Sequence, residues 1–259
     1  MWDPAQYRRY TDERSRPFFD LLTRVGAASP RYVVDLGCGP GHLTATLAER
    51  WPSAEVVGVD SSVEMINAAQ ATLASATGSL SFHLGDVREF APARPPDVIV
   101  CNAVLQWVPC HQDLLPGWAA LLAPGGWLAI QVPGNTDQPS HRILRELAES
   151  PRWREQLADV ALTRQVHDPA DYLALLTGAG CEVDAWETTY LHVLPGDDPV
   201  LEWYKGSGLR PVIAALRADQ GAEFLAEYAI RLRAAYPAHG YRTVLPFRRV
   251  FAVAHKIGA

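Results

Sequence analysis

The chain has 259 residues, carries a formal net charge of −6 and is 48% hydrophobic. That supplies apolar material for one large α/β core or two modest ones, and it excludes a disordered chain. The negative balance, with no basic cluster longer than a pair, argues against the phosphate-neutralising face on which nucleic-acid binding rests.

The four cysteines, Cys38, Cys101, Cys110 and Cys181, form no C-x-x-C pair, so neither a zinc site nor a disulfide framework is expected. Met1-Trp2-Asp3-Pro4 lacks the basic-then-apolar pattern of a signal peptide. No apolar run approaches the roughly 20 residues of a membrane helix. The expectation is a soluble, cytoplasmic chain with no membrane contact and no metal.

The first segment, Trp2–Val25, is charged over Asp12–Arg16. Ser15 and Pro17 then read as cap and first turn of a helix. Phe18, Leu21, Leu22 and Val25 fall on one face of it. Residues 1–28 are expected to fold as a lid, with Tyr7, Tyr10, Arg14 and Arg16 available to a ligand. Tyr32–Leu36 is the first strand, with the β-branched and aromatic character of a buried one. Three glycines follow, Gly37, Gly39 and Gly41, and then a helix over His42–Trp51. Strands at Glu55–Val59, Leu80–Leu84, Asp97–Cys101 and Trp127–Val132 alternate with helices at Val63–Ser75 and Leu114–Leu122.

The second half is less regular. Ser140–Leu162 reads as largely helical with a break at Pro151. Asp168-Pro169 opens a helix that ends at Ala179-Gly180. Glu182–Val193 and Arg249–His255 alternate as strands, and the stretch between them is mostly helical. The whole of 1–259 is expected to form one α/β domain, a doubly wound, mostly parallel seven-stranded sheet. Two helical insertions, 134–165 and 195–246, are expected to cap it.

Ligands of such a sheet gather outside the carboxyl ends of its strands. The glycines at Gly37, Gly39 and Gly41 allow backbone to approach a ligand closely. A dinucleotide fingerprint would need its third glycine at position 42, which is His42. Asp35 would also face a pyrophosphate with like charge, whereas an acid there suits a cationic ligand. This stretch resembles the glycine motif of class I S-adenosylmethionine-dependent methyltransferases, whose cofactor carries an ammonium and a sulfonium and no phosphate.

The other strand ends fit that ligand in turn. Asp60, beside Ser61, can accept from both hydroxyls of a ribose diol. Asp86 can accept from an adenine amino group, Val87 can offer its backbone N–H to a ring nitrogen, and Met65 can cover the ring. The backbone carbonyls of Asn102 and Ala103 can hold an ammonium.

The chain further carries Trp2-Asp3-Pro4, Tyr7, Asp12-Glu13-Arg14-Ser15-Arg16-Pro17 and Asn102-Ala103-Val104-Leu105-Gln106-Trp107. Its second half carries Cys181-Glu182-Val183-Asp184, Trp186, Thr188-Thr189-Tyr190 and Gly208-Leu209-Arg210-Pro211. With these it resembles, end to end, the trans-aconitate 2-methyltransferase family. The resemblance implies a Rossmann-like fold and methyl transfer from S-adenosylmethionine to a carboxylate of a small tricarboxylic acid. The products would be the monomethyl ester and S-adenosylhomocysteine.

An ionised carboxylate needs no general base, so no catalytic residue is expected and the work is positioning. Arg210 is the leading candidate to bind a substrate carboxylate, by the bidentate geometry of arginine. Gln106, Trp107, Tyr190, His192 and Arg249 follow it. Arg14 suits either the substrate's or the cofactor's carboxylate. For His192 and Arg249 the competing reading is surface charge on a sheet edge. A dyad of Cys110 and His111 is rejected, because neighbours in a loop rarely face each other. Other acceptors stay open, among them a different small acid or a carrier-bound acyl group, as does a non-catalytic S-adenosylmethionine sensor.

Overall fold

A computed structural model of the chain describes residues 11–73, 79–163, 165–206, 208–240 and 242–258. Tyr7 and Tyr10 lie outside them. The described helices are α1 (Thr11–Leu22), α2 (His42–Arg50), α3 (Val63–Thr72), α4 (Leu115–Leu121), α5 (Pro139–Ala148), α6 (Pro169–Gly178), α7 (Pro199–Lys205), α8 (Arg210–Ala215) and α9 (Ala218–Ala235). The described strands are β1 (Tyr32–Leu36), β2 (Glu55–Asp60), β3 (Ser79–Leu84), β4 (Val98–Asn102), β5 (Trp127–Pro133), β6 (Cys181–Leu194) and β7 (Thr243–Lys256). They form one sheet in the order β3-β2-β1-β4-β5-β7-β6. The pairs from β3 to β5 are parallel, and β7 runs antiparallel to β5. Strand order therefore reverses at β1, between β2 and β4, which opens the crevice where a ligand of such a sheet binds.

The chain divides into two compact units: 14–133 with 165–188 and 249–259, and 1–13 with 134–164 and 189–248. The first is the sheet unit. Tyr32, Val34, Leu36, Ile99, Cys101, Leu128, Ile130 and Val132 share one core cluster with Leu115 and Trp118 of α4 and Tyr172 and Leu176 of α6. Period-2 alternation then sends Val33, Asp35, Val98, Val100, Asn102, Ala129 and Gln131 to the opposite face. In α1, Phe18, Leu21 and Leu22 are buried, as is Val25 just beyond it. Each contributes about 1.5–3 kcal/mol by leaving water. The Arg50 guanidinium ties down the chain end of α1 by donating to the Leu22 and Val25 carbonyls at 2.8 and 3.0 Å.

The second unit is built on α5, α7, α8 and α9, with Trp153, Trp203, Phe224, Tyr228 and Leu232 in one cluster. Ser140 is the hub of its polar interior. Its hydroxyl lies 2.8 Å from the Tyr204 hydroxyl, its N–H donates to the Tyr236 oxygen at 3.1 Å, and its carbonyl accepts from Tyr228 at 3.0 Å.

Three boundaries differ from the sequence reading. Helix α1 is already formed at Thr11, and Pro17 lies inside it rather than in its first turn, at the cost of one intrahelical hydrogen bond. The helix expected to Leu162 stops at Ala148, and the chain continues as turns. Pro151 withdraws a donor and disfavours helical backbone at Ser150, while Trp153 and Leu157 still reach the core. Strand β7 begins at Thr243, well before the expected Arg249, with Pro246 inside it. Among the described residues no helix is long and apolar enough to cross a membrane.

Candidate cofactor site

The glycine turn sits at the carboxyl end of β1. Gly37, Gly39 and Gly41 all have left-handed φ, at 77°, 55° and 81°. They are needed for different reasons. A Cβ on Gly37 would meet Val104 Cγ2 at 2.1 Å, and one on Gly41 would meet Phe82 and Ala69 below 3 Å. A Cβ on Gly39 would meet nothing within 4 Å. Gly37 and Gly41 thus let the turn pack, and Gly39 presents bare backbone to open space.

Asp60, at the end of β2, is fixed from both sides. Its carboxylate accepts from the Gly39 N–H at 2.9 Å and from the Ser62 N–H at 2.9 Å. It thereby couples the glycine turn to the start of α3, where the Ser62 hydroxyl accepts from Met65 N–H at 3.3 Å. Ser61 is exposed beside it, and Met65 is buried. The lone pairs that Asp60 does not use are available to a diol.

Asp35 lies in the β1 interior, 3% exposed, and accepts from the Thr44 hydroxyl at 2.7 Å. Burial pushes its carboxyl up to about 7, partly offset by the Thr44 bond, with the Asp60 charge adding to the rise. A cation bound nearby would draw that proton off.

At the end of β3 the sequence reading misses a partner. Arg88 holds both oxygens of Asp86, donating from Nε at 3.0 Å and from Nη2 at 2.5 Å. That pairing lowers the Asp86 carboxyl to about 2. Asp86 also accepts from the Arg88 N–H as cap of the 3-10 turn Val87–Glu89, and Val87 is buried there. Any adenine amino group must therefore share a carboxylate that Arg88 already holds.

The end of β4 has an unusual backbone. Ala103 has a left-handed φ of 57°, a conformation that costs an alanine about 1–3 kcal/mol and clusters at ligand sites. Its N–H donates to the Gln131 carbonyl at 2.9 Å, and its carbonyl accepts from Gln106 Nε2 at 2.7 Å. Asn102 Oδ1 and Gln106 Oε1 are buried with no hydrogen-bond partner. Trp107 follows, 45% exposed.

Arg14 is half-buried on α1. Arg249 is 6% exposed on β7, an interior strand, opposite Pro133 of β5. It is not the edge surface charge of the competing reading. Tyr190, His192 and Arg210 belong to the helical unit. His192 is 5% exposed and lies in an aromatic stack, 4.7 Å from Trp203, 5.7 Å from Phe247 and 6.2 Å from Tyr190. It too is buried rather than a surface charge. Arg210 opens α8, two residues after Gly208, which lines a small pocket with His141, Tyr204 and Tyr228. Cys110 is exposed, whereas His111 is fully buried and bonded to the Tyr172 hydroxyl at 2.7 Å.

A further polar side chain escaped the sequence reading. Gln131 of β5 is 0% exposed, and neither atom of its amide has a hydrogen-bond partner. The signal was a lone polar residue within the apolar run Trp127–Val132.

These features fit a cofactor that carries both a diol and a positively charged group. Gly39 opens onto free space, and two orphaned carbonyl oxygens sit at the adjoining strand end. No group of three or more histidine, cysteine or acidic side chains that could hold a metal occurs among the described residues.

Comparison with known proteins gives the same direction. A methyltransferase domain family matches residues 7–185. A trans-aconitate 2-methyltransferase of Streptomyces avermitilis is 56% identical over 98% of this chain and 97% of its own. One from Mycolicibacterium gilvum is 53% identical over 98% of both chains. The YcgJ protein of Bacillus subtilis superposes with a TM-score of 0.64 at 12% identity, covering 94% of this chain and 99% of its own. A Haemonchus contortus phosphoethanolamine N-methyltransferase, solved with S-adenosylhomocysteine, does so at 0.57 and 15% identity, covering 93% of this chain and 52% of its own.

Proposed function

The chain belongs to the trans-aconitate 2-methyltransferase family, and from that premise we propose how its own residues serve carboxyl O-methylation of trans-aconitate. The methyl donor is S-adenosylmethionine, which supplies an activated methyl group on a sulfonium. The observation that carries the assignment of its site is the bare backbone of Gly39 held by Asp60.

Asp60 receives the ribose hydroxyls, keeping the turn closed through Gly39 as it does so. Asp86, pre-aligned by Arg88, and the backbone of Val87 meet the adenine, with Met65 and Ser61 beside it. Asp35, Asn102 and Ala103 provide the negative end of the site. Arg14 serves a carboxylate, and Tyr10 is proposed as a further cofactor contact.

The acceptor is already an anion at neutral pH. None of these side chains needs to remove a proton, and none is proposed to act as a nucleophile. Their contribution is alignment, which can be worth roughly 7–11 kcal/mol. Transfer from a sulfonium to a carboxylate cancels opposite charges, so exclusion of water favours it.

A tricarboxylate needs cationic or strongly donating partners. In the sheet unit the proposed acid contacts are Arg249, Gln106 and Trp107. In the helical unit they are Arg210, Tyr190 and His192. Arg210 leads because its planar guanidinium matches a carboxylate with two donors at once, and it stands at the start of α8. The test is a specificity panel: kcat/KM for trans-aconitate, cis-aconitate, citrate and a monocarboxylic acid, with wild type and Arg210→Ala. The proposal requires trans-aconitate to be preferred, and Arg210→Ala to raise its KM at least tenfold. It is overturned if a monocarboxylate is turned over equally well or the variant leaves KM unchanged.

A further inference from the structure

A strand residue buried at 0% exposure with an unsatisfied amide is costly. Each unpaired buried donor or acceptor costs about 1–3 kcal/mol, and buried groups of this kind call for an explanation. Gln131 has two such atoms. Its neighbours make the case stronger. Gln131 lies directly across the parallel ladder from Asn102, on the sheet face that alternation assigns to Asp35. Neighbouring strands are about 4.8 Å apart, so the two amides are adjacent. Asn102 Oδ1 is orphaned as well, and so is Gln106 Oε1 in the turn that follows. The bond from Gln106 Nε2 to the Ala103 carbonyl fixes which atom of that amide is the oxygen.

Across Asn102, Gln106 and Gln131 the orphaned atoms are three acceptors, Asn102 Oδ1, Gln106 Oε1 and Gln131 Oε1, and one donor, Gln131 Nε2. This composition selects the ligand. A carboxylate only accepts hydrogen bonds, so a polycarboxylic acid would set oxygen against three carbonyl oxygens. An ammonium carries three N–H donors and would satisfy all three acceptors. The one remaining donor suits a carboxylate attached beside it. An α-amino acid zwitterion offers both groups on one carbon.

We propose that Gln131 is a binding residue for the amino-acid end of the cofactor, its oxygen accepting from the ammonium and its nitrogen donating to the carboxylate. Asn102 and Gln106 complete the ammonium cradle, which moves Gln106 from the acid to the cofactor. This rests on the assignment of the site to S-adenosylmethionine.

The test is calorimetric binding of two ligands to wild type and Gln131→Leu. S-adenosylhomocysteine carries the zwitterion, and 5′-methylthioadenosine shares its adenosine and thioether but lacks it. Gln131→Leu is expected to weaken S-adenosylhomocysteine at least tenfold and to leave 5′-methylthioadenosine within twofold. Equal weakening of both ligands, or of neither, overturns the proposal. So does a variant that binds both as wild type does but raises only the KM of the acid. If Gln131→Leu does not fold, Gln131→Met, closer in shape, carries the same comparison, with a thermal melt of the ligand-free protein as control. Wild type that binds neither ligand would instead remove the cofactor assignment itself.

Discussion

Asp35 offers a test whose sign can be worked out in advance. Its carboxyl stands at about 7 in the folded protein, against an ordinary value of 3.8, because it is buried. Between those values the folded state holds a proton that the unfolded chain has released. Stability conferred by this group therefore falls as pH rises through that window, at up to ~1.4 kcal/mol per pH unit. Integrated from pH 4 to 7, the native state loses about 4 kcal/mol that a neutral isostere would keep. Asp35→Asn is that isostere, and its amide oxygen can still accept from Thr44. Urea denaturation of ligand-free wild type and variant from pH 4 to pH 8 measures the difference. The variant is expected to gain on wild type steadily with pH and to level off above pH 7. The same variant should bind S-adenosylhomocysteine, whose ammonium is cationic, less well than wild type at pH 8. A stability difference that is flat across the window, or that shrinks as pH rises, would refute the reasoning.

Other predictions follow from the same geometry. Asp60→Ala removes two anchors of the turn as well as the diol acceptor; S-adenosylhomocysteine should bind at least tenfold more weakly by calorimetry, and unchanged affinity would take Asp60 out of the ribose site. Gly37→Ala places a Cβ 2.1 Å from Val104 at a left-handed backbone and should cost roughly 2–4 kcal/mol in chemical denaturation, part of which Val104→Ala should restore. Gly39→Ala meets no neighbour and should cost only about 1–2 kcal/mol, yet it should weaken cofactor binding more than Gly37→Ala does relative to its loss of stability. Arg88→Ala frees the Asp86 carboxylate, whose titration by NMR should move up from about 2 toward the ordinary range.

Where the sequence could be read, the physics was local. The strand, three glycines and helix from Tyr32 to Arg50 are recognisable because each residue type answers a backbone need, and Asp60 could be placed by its position at a strand end. What was hidden depended on partners. Arg88 sits two residues from Asp86, but only the 3-10 turn brings its guanidinium onto that carboxylate. For His192 and Arg249, both acid-binding candidates, the competing reading of edge charge stayed open because strand position in a sheet is not local information; β7 proved to be interior, and His192, on the edge strand β6, to be stacked among aromatics. Pro246 concealed the first half of β7, since proline withdraws a ladder donor. Gln131 was visible as a polar residue in an apolar strand, but its unsatisfied amide becomes apparent only once the burial around it is known.

The central claim is that this chain transfers a methyl group to a carboxylate oxygen of trans-aconitate. Incubation with S-adenosylmethionine labelled at the methyl carbon with ¹³C, followed by NMR of the small-molecule fraction, observes that bond directly. The account predicts one labelled methyl-ester resonance that appears with trans-aconitate, matches S-adenosylhomocysteine mole for mole, and disappears on mild base hydrolysis. Label on carbon, nitrogen or protein, or S-adenosylhomocysteine formed with no ester, would contradict it.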